Sequence, residues 1–385
     1  MPAHATAPSS HPKVLIVTND FPPRSGGIET FVGALADRFD PDQVVVYTST
    51  EEGDAEYDPT LPYPVIRDKT RMLLPTARVR RTAVGLLKEY GCDRVLFGAS
   101  APLGLMGDDL RAAGAKRVVA ITHGHEVWWA RIPGTRSAIR KIAERVDVLT
   151  YIAGWTRDQI ARAIPDGVVT STMRRMPPGV NADHFHPDCG GAEVRKQHGI
   201  PADAPVVVSV SRIVKRKGQD RLIEGWPQVL RTHPNARLVI AGSGPYTKTL
   251  EKLAAKHGVQ DSVILAGRVP DMSSYMDAAD VFAMPCRYRH FGMEAEGLGI
   301  VFLEAAACEK PVIVGDSGGA PDAVIDGETG YLVDPNDVGQ IAERITELLS
   351  DPAKARAMGK RGRQFVLDGW QWDQIAETCK SYLGM

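Results

Sequence analysis

Paired cysteines are missing from this chain. Cys92, Cys189, Cys286, Cys308 and Cys379 stand singly, with no Cys-x-x-Cys among them. That pattern argues against a disulfide framework or a cysteine zinc site and suits a reducing compartment. Long apolar runs are missing too. None approaches the roughly 20 residues a membrane-spanning helix needs, so any membrane role would be peripheral. The opening MPAHATAPSSHPK has no apolar centre. It is therefore not read as a signal peptide, and residues 1–12 are expected to be a disordered lead-in. An excess of one charge is also lacking: the net charge is −1, and nothing global points to nucleic acid. What remains is ordinary globular material, 43% hydrophobic and 24% charged. At 385 residues it exceeds what one core usually supports, so two domains are expected.

Short β-branched runs alternate with amphipathic stretches. Lys13–Thr18, Val44–Thr48, Val95–Gly98, Val118–Thr122 and Val148–Ile152 read as strands. Ile28–Phe39 and Thr82–Tyr90 read as helices between them. The pattern restarts after Pro177–Gly191, with strands at Val206–Val210, Arg237–Ala241, Val263–Ala266, Val281–Pro285 and Pro311–Val314. Such alternation predicts an α/β chain of two doubly wound, Rossmann-like parallel-sheet domains facing across a cleft. The expected bounds are 13–186 and 187–367, with the helical segment 368–385 packing back on the first domain. Ligands of these folds bind beyond the carboxyl ends of the strands.

Four motifs fall at such ends. Glu296-Gly297-Leu298-Gly299-Ile300-Val301-Phe302-Leu303-Glu304 is a glycine-rich turn running into a helix. The first N–H groups past Gly299, at Ile300 and Val301, would be free to meet an anion. Glu296 and Glu304 would suit sugar hydroxyls, although alone they also fit an ordinary capped helix. Ser211-Arg212-Ile213-Val214-Lys215-Arg216-Lys217-Gly218 sets four cations after a strand. Arg212 and Lys217 could neutralise a pyrophosphate, whereas Lys215 and Arg216 read as a solvated basic loop. Gly26-Gly27 opens a helix and allows close approach of phosphate or sugar, or serves only a tight turn. It lacks the Lys-Ser/Thr of a phosphate-binding P-loop. His123-Gly124-His125-Glu126 follows a strand, where His123 could donate a hydrogen bond to a sugar or shuttle a proton. A metal set around these histidines finds no convincing further ligands, and Asp40–Asp42 follows a helix, so no bound metal is expected. Gly242-Ser243-Gly244 fails as a dinucleotide fingerprint because Thr247 replaces the third glycine, which speaks against an oxidoreductase.

Together Gly26-Gly27, His123, PPGVNADHF (Pro177–Phe185), Ser211-Arg212 with Lys217-Gly218, and the Glu296/Glu304 pair resemble the family 4 retaining glycosyltransferases of GT-B fold. The resemblance spans essentially the whole ordered chain. Within that family it is nearest the actinobacterial phosphatidylinositol mannosyltransferases. It implies a GDP-mannose donor, a phosphatidylinositol monomannoside acceptor and an alpha-1,6 link to inositol, with no cofactor. By the same resemblance Arg212 and Lys217 hold the pyrophosphate, and Glu304 the ribose. Glu296 holds the mannose, Val269 and Asp271 meet the guanine, Gly27 approaches the donor phosphate, and His123 touches the transferred sugar. Catalysis would rest on His123, Arg212, Lys217 and Glu296. Donor binding would add Gly26, Gly27, Val269, Asp271, Gly299, Ile300, Val301 and Glu304. The enzyme would be cytoplasmic and peripheral at the inner face of the plasma membrane.

Two departures from the family pattern stand out. Gly318-Gly319-Ala320-Pro321-Asp322 carries Asp where Glu is usual, and Arg287-Tyr288-Arg289-His290-Phe291 is long and basic. The latter is read as a possible acceptor contact. Arg67–Lys88 sets Arg67, Lys69, Arg71, Arg78, Arg80, Arg81 and Lys88 against one acid, Asp68. It would dock on anionic headgroups, or be only a solvated helix face. Another nucleotide sugar, such as UDP- or ADP-glucose, with a soluble acceptor remains an alternative. So does a non-catalytic sugar-nucleotide binder.

Overall fold

The computed structural model describes residues 11–290, 292 and 294–385. Most of the expected lead-in, and Phe291 of the basic loop, lie outside them. The chain forms two compact units, Met1–Gly179 with Trp372–Met385, and Val180–Gln371. The division thus falls at Gly179 and Gln371 rather than at 186 and 367. Local packing explains it. A Cβ on Gly179 would strike Trp372, which ties that turn to the last helix. One residue on, the Val180 N–H donates to the Trp370 carbonyl.

The first unit carries β1 (Val14–Val17), β2 (Val44–Ser49), β3 (Val65–Asp68), β4 (Arg94–Phe97), β5 (Arg117–Ala120), β6 (Val148–Tyr151) and β7 (Met173–Arg175). They pair in parallel in the order β3-β2-β1-β4-β5-β6-β7. The central strand β1 is wholly buried, as a strand covered on both faces must be. The closing helix Trp372–Leu383 lies against helix Gly27–Ala36, where Trp372 meets Phe31.

The second unit carries β8 (Val206–Val210), β9 (Arg237–Ala241), β10 (Val263–Gly267), β11 (Val281–Met284), β12 (Val312–Gly315) and β13 (Gly330–Val333). This sheet is also parallel, in the order β10-β9-β8-β11-β12-β13. Strand order reverses between β1 and β4 in one unit and between β8 and β11 in the other. The loops leaving those strands diverge to opposite faces and open a crevice at the sheet edge. Gly26-Gly27 follows β1, Arg212 and Lys217 follow β8, and Glu296 follows β11, all at these switch points, whereas His123 follows β5 and Val269 and Asp271 follow the edge strand β10.

Candidate active site

In the second unit the loop after β8 faces the loop after β11. Lys217 Nζ donates to Glu296 Oε2 at 2.7 Å, and Arg216 Nη1 reaches the same oxygen at 2.8 Å. Burial works against the charged form of Glu296, yet the two cations hold its carboxyl below the usual range. Arg216 is therefore not the solvated cation expected from sequence, because a buried carboxylate claims it. Lys215 stays exposed, and so does Arg212, whose guanidinium makes no bond among the described contacts. The main chain of Glu296 is fixed as well: the Gly319 N–H donates to its carbonyl at 2.8 Å. A Cβ on Gly318 would run into that carbonyl, so Gly318-Gly319 serves to seat Glu296.

Gly299, at φ 78°, turns the chain into helix Ile300–Ala307. Ile300 and Val301 open that helix ahead of its regular ladder. Glu304 follows one turn on. Its Oε2 is buried without a hydrogen-bond partner, and burial pushes the carboxyl up to about 7. A buried orphan oxygen is costly unless a ligand completes it. Asp271 caps helix Met272–Asp277, accepting from Ser273 and Ser274. With its carboxylate so engaged, main-chain atoms of Val269 and Asp271 are what this turn can offer a ligand.

The basic loop after β11 is corrected in one respect. Arg287 is buried and makes a two-pronged pair with Asp220, at 3.0 and 2.6 Å. It cannot be an acceptor contact. Arg289 pairs with Glu294 at 3.6 Å, and Tyr288 is partly exposed.

In the first unit, His123 follows β5. Its Nε2 lies 2.6 Å from the Gly98 carbonyl, which can only accept, so Nε2 carries the proton. Burial lowers the pKa of the ring, which leaves it neutral with Nδ1 as an acceptor. The expected role of donor or shuttle thus narrows to accepting a hydroxyl hydrogen. Glu126 is fully buried and clamps this turn. It accepts from Ser100 Oγ at 3.1 Å, the His123 N–H at 3.0 Å and the Gly124 N–H at 3.1 Å. Gly26 precedes helix Gly27–Ala36, with the Glu29 side chain folded over it. A Cβ on Gly27 would meet only open space, so a ligand has room there. Asp20, Arg24 and Glu29 form an ion cluster beside this turn that sequence reading missed. Neither their spacing nor their types signal it. Among the described residues no group of three His, Cys, Asp or Glu side chains could hold a metal ion.

Comparison with known proteins agrees with this geometry. Residues 25–184 match the model described as Glycosyltransferase Family 4, and 192–365 match Glycosyl transferases group 1. A GDP-mannose-dependent alpha-(1-6)-phosphatidylinositol monomannoside mannosyltransferase of Mycolicibacterium smegmatis is 44% identical over 93% of this chain and 95% of its own. A Mycobacterium tuberculosis protein of the same description is 42% identical over 96% and 98%. Among solved structures, HepE of Anabaena with UDP is 19% identical with a TM-score of 0.80, covering 97% of this chain and 99% of its own, which speaks to the fold alone.

Proposed function

The chain belongs to glycosyltransferase family 4, and from that premise we propose that it moves mannose from GDP-mannose to a phosphatidylinositol monomannoside. The unpartnered Glu304 oxygen carries the reading. It stands at the carboxyl edge of the second sheet, where a ribose diol would supply the missing donors. Arg212 supports it as a free cation in the loop after β8. Lys217 would exchange Glu296 for pyrophosphate as donor binds, releasing Glu296 to the mannose hydroxyls.

The reaction breaks the bond from sugar C1 to the phosphate oxygen and forms one to the acceptor hydroxyl oxygen. The hydroxyl proton passes to the departing phosphate. An alpha-linked donor giving an alpha product requires net retention, which two successive inversions or one same-face attack can give; the family resemblance implies the same-face route. Fixed cations favour the growing negative charge, and each well-placed group of this kind is worth roughly 3–4 kcal/mol. His123, neutral and held by Gly98, would accept from a hydroxyl of the transferred sugar. No bound metal is part of this proposal.

No helix among the described residues is long and apolar enough to cross a membrane. The lipid acceptor would be met by peripheral contact at the cytoplasmic face. A donor panel with phosphatidylinositol monomannoside and soluble acceptors, its products weighed by mass spectrometry, tests the reading. Mannosylated lipid from GDP-mannose, unchanged by a chelator, is expected. Turnover of UDP- or ADP-glucose onto a soluble acceptor instead would overturn it.

A further inference from the structure

Arg216 and Lys217 are neighbouring cations that repel one another, so their turn must be held by its surroundings. Besides the Glu296 carboxylate that both cations share, four hydrogen bonds hold it. The Lys217 N–H donates to the Val214 carbonyl, and the Arg287 N–H donates to the Arg216 carbonyl, both at 2.9 Å. Gln219 Nε2 reaches Ser211 Oγ at 2.7 Å and the Arg212 carbonyl at 3.2 Å. Arg287 is in turn fixed by its two bonds to Asp220, in the first turn of helix Gln219–Thr232. Both partners are buried. A buried ion pair often adds little net stability over apolar replacements, so stability alone does not account for it. What a two-pronged pair does impose is one geometry. This one spans the switch point, joining the loops that leave β8 and β11.

We propose that Arg287, locked by Asp220, is a positioning residue that sets the loop carrying Arg212, Arg216 and Lys217 for the pyrophosphate of a nucleoside diphosphate. The inference rests on the donor reading above. Lysine cannot replace the guanidinium, because one ammonium does not reproduce the paired bonds.

The test measures GDP and guanosine affinities, the latter by competition, with melting temperature recorded alongside. The proteins are the parent, Arg287→Lys, and the double variant Asp220→Asn/Arg287→Gln. The double variant leaves no unpaired buried ion, so it carries the test even if the single one does not fold. Both should bind GDP about tenfold more weakly, with guanosine affinity unchanged. GDP binding equal to the parent in the folded variants overturns the proposal. So does an equal proportional loss for GDP and guanosine, which would mark the pair as holding only the fold. If the parent prefers another nucleoside diphosphate, the donor reading fails. The positioning role is then judged by the same ratio with that diphosphate and its nucleoside.

Discussion

Glu304 and Glu296 are carboxylates eight positions apart that the fold treats in opposite ways. Glu296 is buried against two cations, whereas Glu304 Oε2 is buried against nothing that can donate to it. Sequence could place both at one glycine-rich turn, but it could not assign Lys217 and Arg216 to Glu296. That pairing depends on two loops meeting across the sheet edge. The difference has a pH signature. Burial raises the Glu304 carboxyl to about 7 in the folded chain. The resulting penalty on stability is absent below the ordinary carboxylate range, grows as pH rises, and is complete above about pH 7. Glu304→Gln should therefore melt higher than the parent on the alkaline side, by a difference on the order of 1–3 kcal/mol, and match it in acid. The same variant should bind GDP more weakly, since an amide oxygen is a poorer acceptor for ribose hydroxyls. Calorimetry and melting curves across pH read both effects. A melting difference that does not vary with pH would rule out the titration, and unchanged GDP affinity would rule out the ribose role.

At the scale of elements, the central strands were legible because β-branched apolar runs mark strands buried on both faces. Of the four edge strands only β10 was; β3, β7 and β13 were not. In β3 (VIRD) and β7 (MRR) charge interrupts the pattern, and an edge strand needs less apolar surface. Helix Ala77–Glu89 begins earlier than its apolar periodicity suggested, because Thr76 caps it through the Val79 N–H. Loops show the same division. Lys217-Gly218 was visible as a motif, but its reason lies in packing. Gly218 has φ 80°, and a Cβ there would collide with the Pro285 carbonyl. Gly218→Ala should cost several kcal/mol, roughly 1–2 from backbone conformation and the rest from parting the two loops. It should also weaken GDP binding by displacing Lys217. Denaturant unfolding checks the first effect. A stability within about 0.5 kcal/mol of the parent, the range of ordinary surface changes, would show that the loops can part freely.

For the whole molecule, the decisive matter is how a chain with no spanning helix among its described residues would meet the lipid acceptor proposed for it. The sequence directed attention to the basic face of Arg67–Lys88, and the structure redistributes it. Arg67 pairs with Asp58, Arg78 with Asp68, and Arg80 with Asp109, each at 2.7 Å or less. The acids come from separate strands and helices, so spacing along the chain could not reveal the pairing. Those arginines are poor candidates for headgroups. The turn before the helix is different. Met72 is 63% exposed and Leu74 47%, with Lys69 and Arg71 exposed beside them. Between the two apolar tips, buried Leu73 is pinned by two hydrogen bonds with the Asn19 side chain, at 2.6 and 3.0 Å. A rigid turn that presents two apolar tips flanked by cations has the chemistry of an interfacial anchor. Each cation near an anionic surface contributes about 1 kcal/mol, and salt weakens that share. The apolar tips act by burial at about 25 cal/mol per Å² and are insensitive to salt. Co-sedimentation with anionic vesicles separates the two contributions. Lys69→Ser/Arg71→Ser should lower binding and flatten its salt dependence. Met72→Ser/Leu74→Ser should lower binding at every salt concentration, by about tenfold if each tip loses near 0.7 kcal/mol. Arg81→Ser, on the helix face, should change little. If the variant lacking all four turn residues binds vesicles as the parent does, the membrane contact lies elsewhere on the molecule.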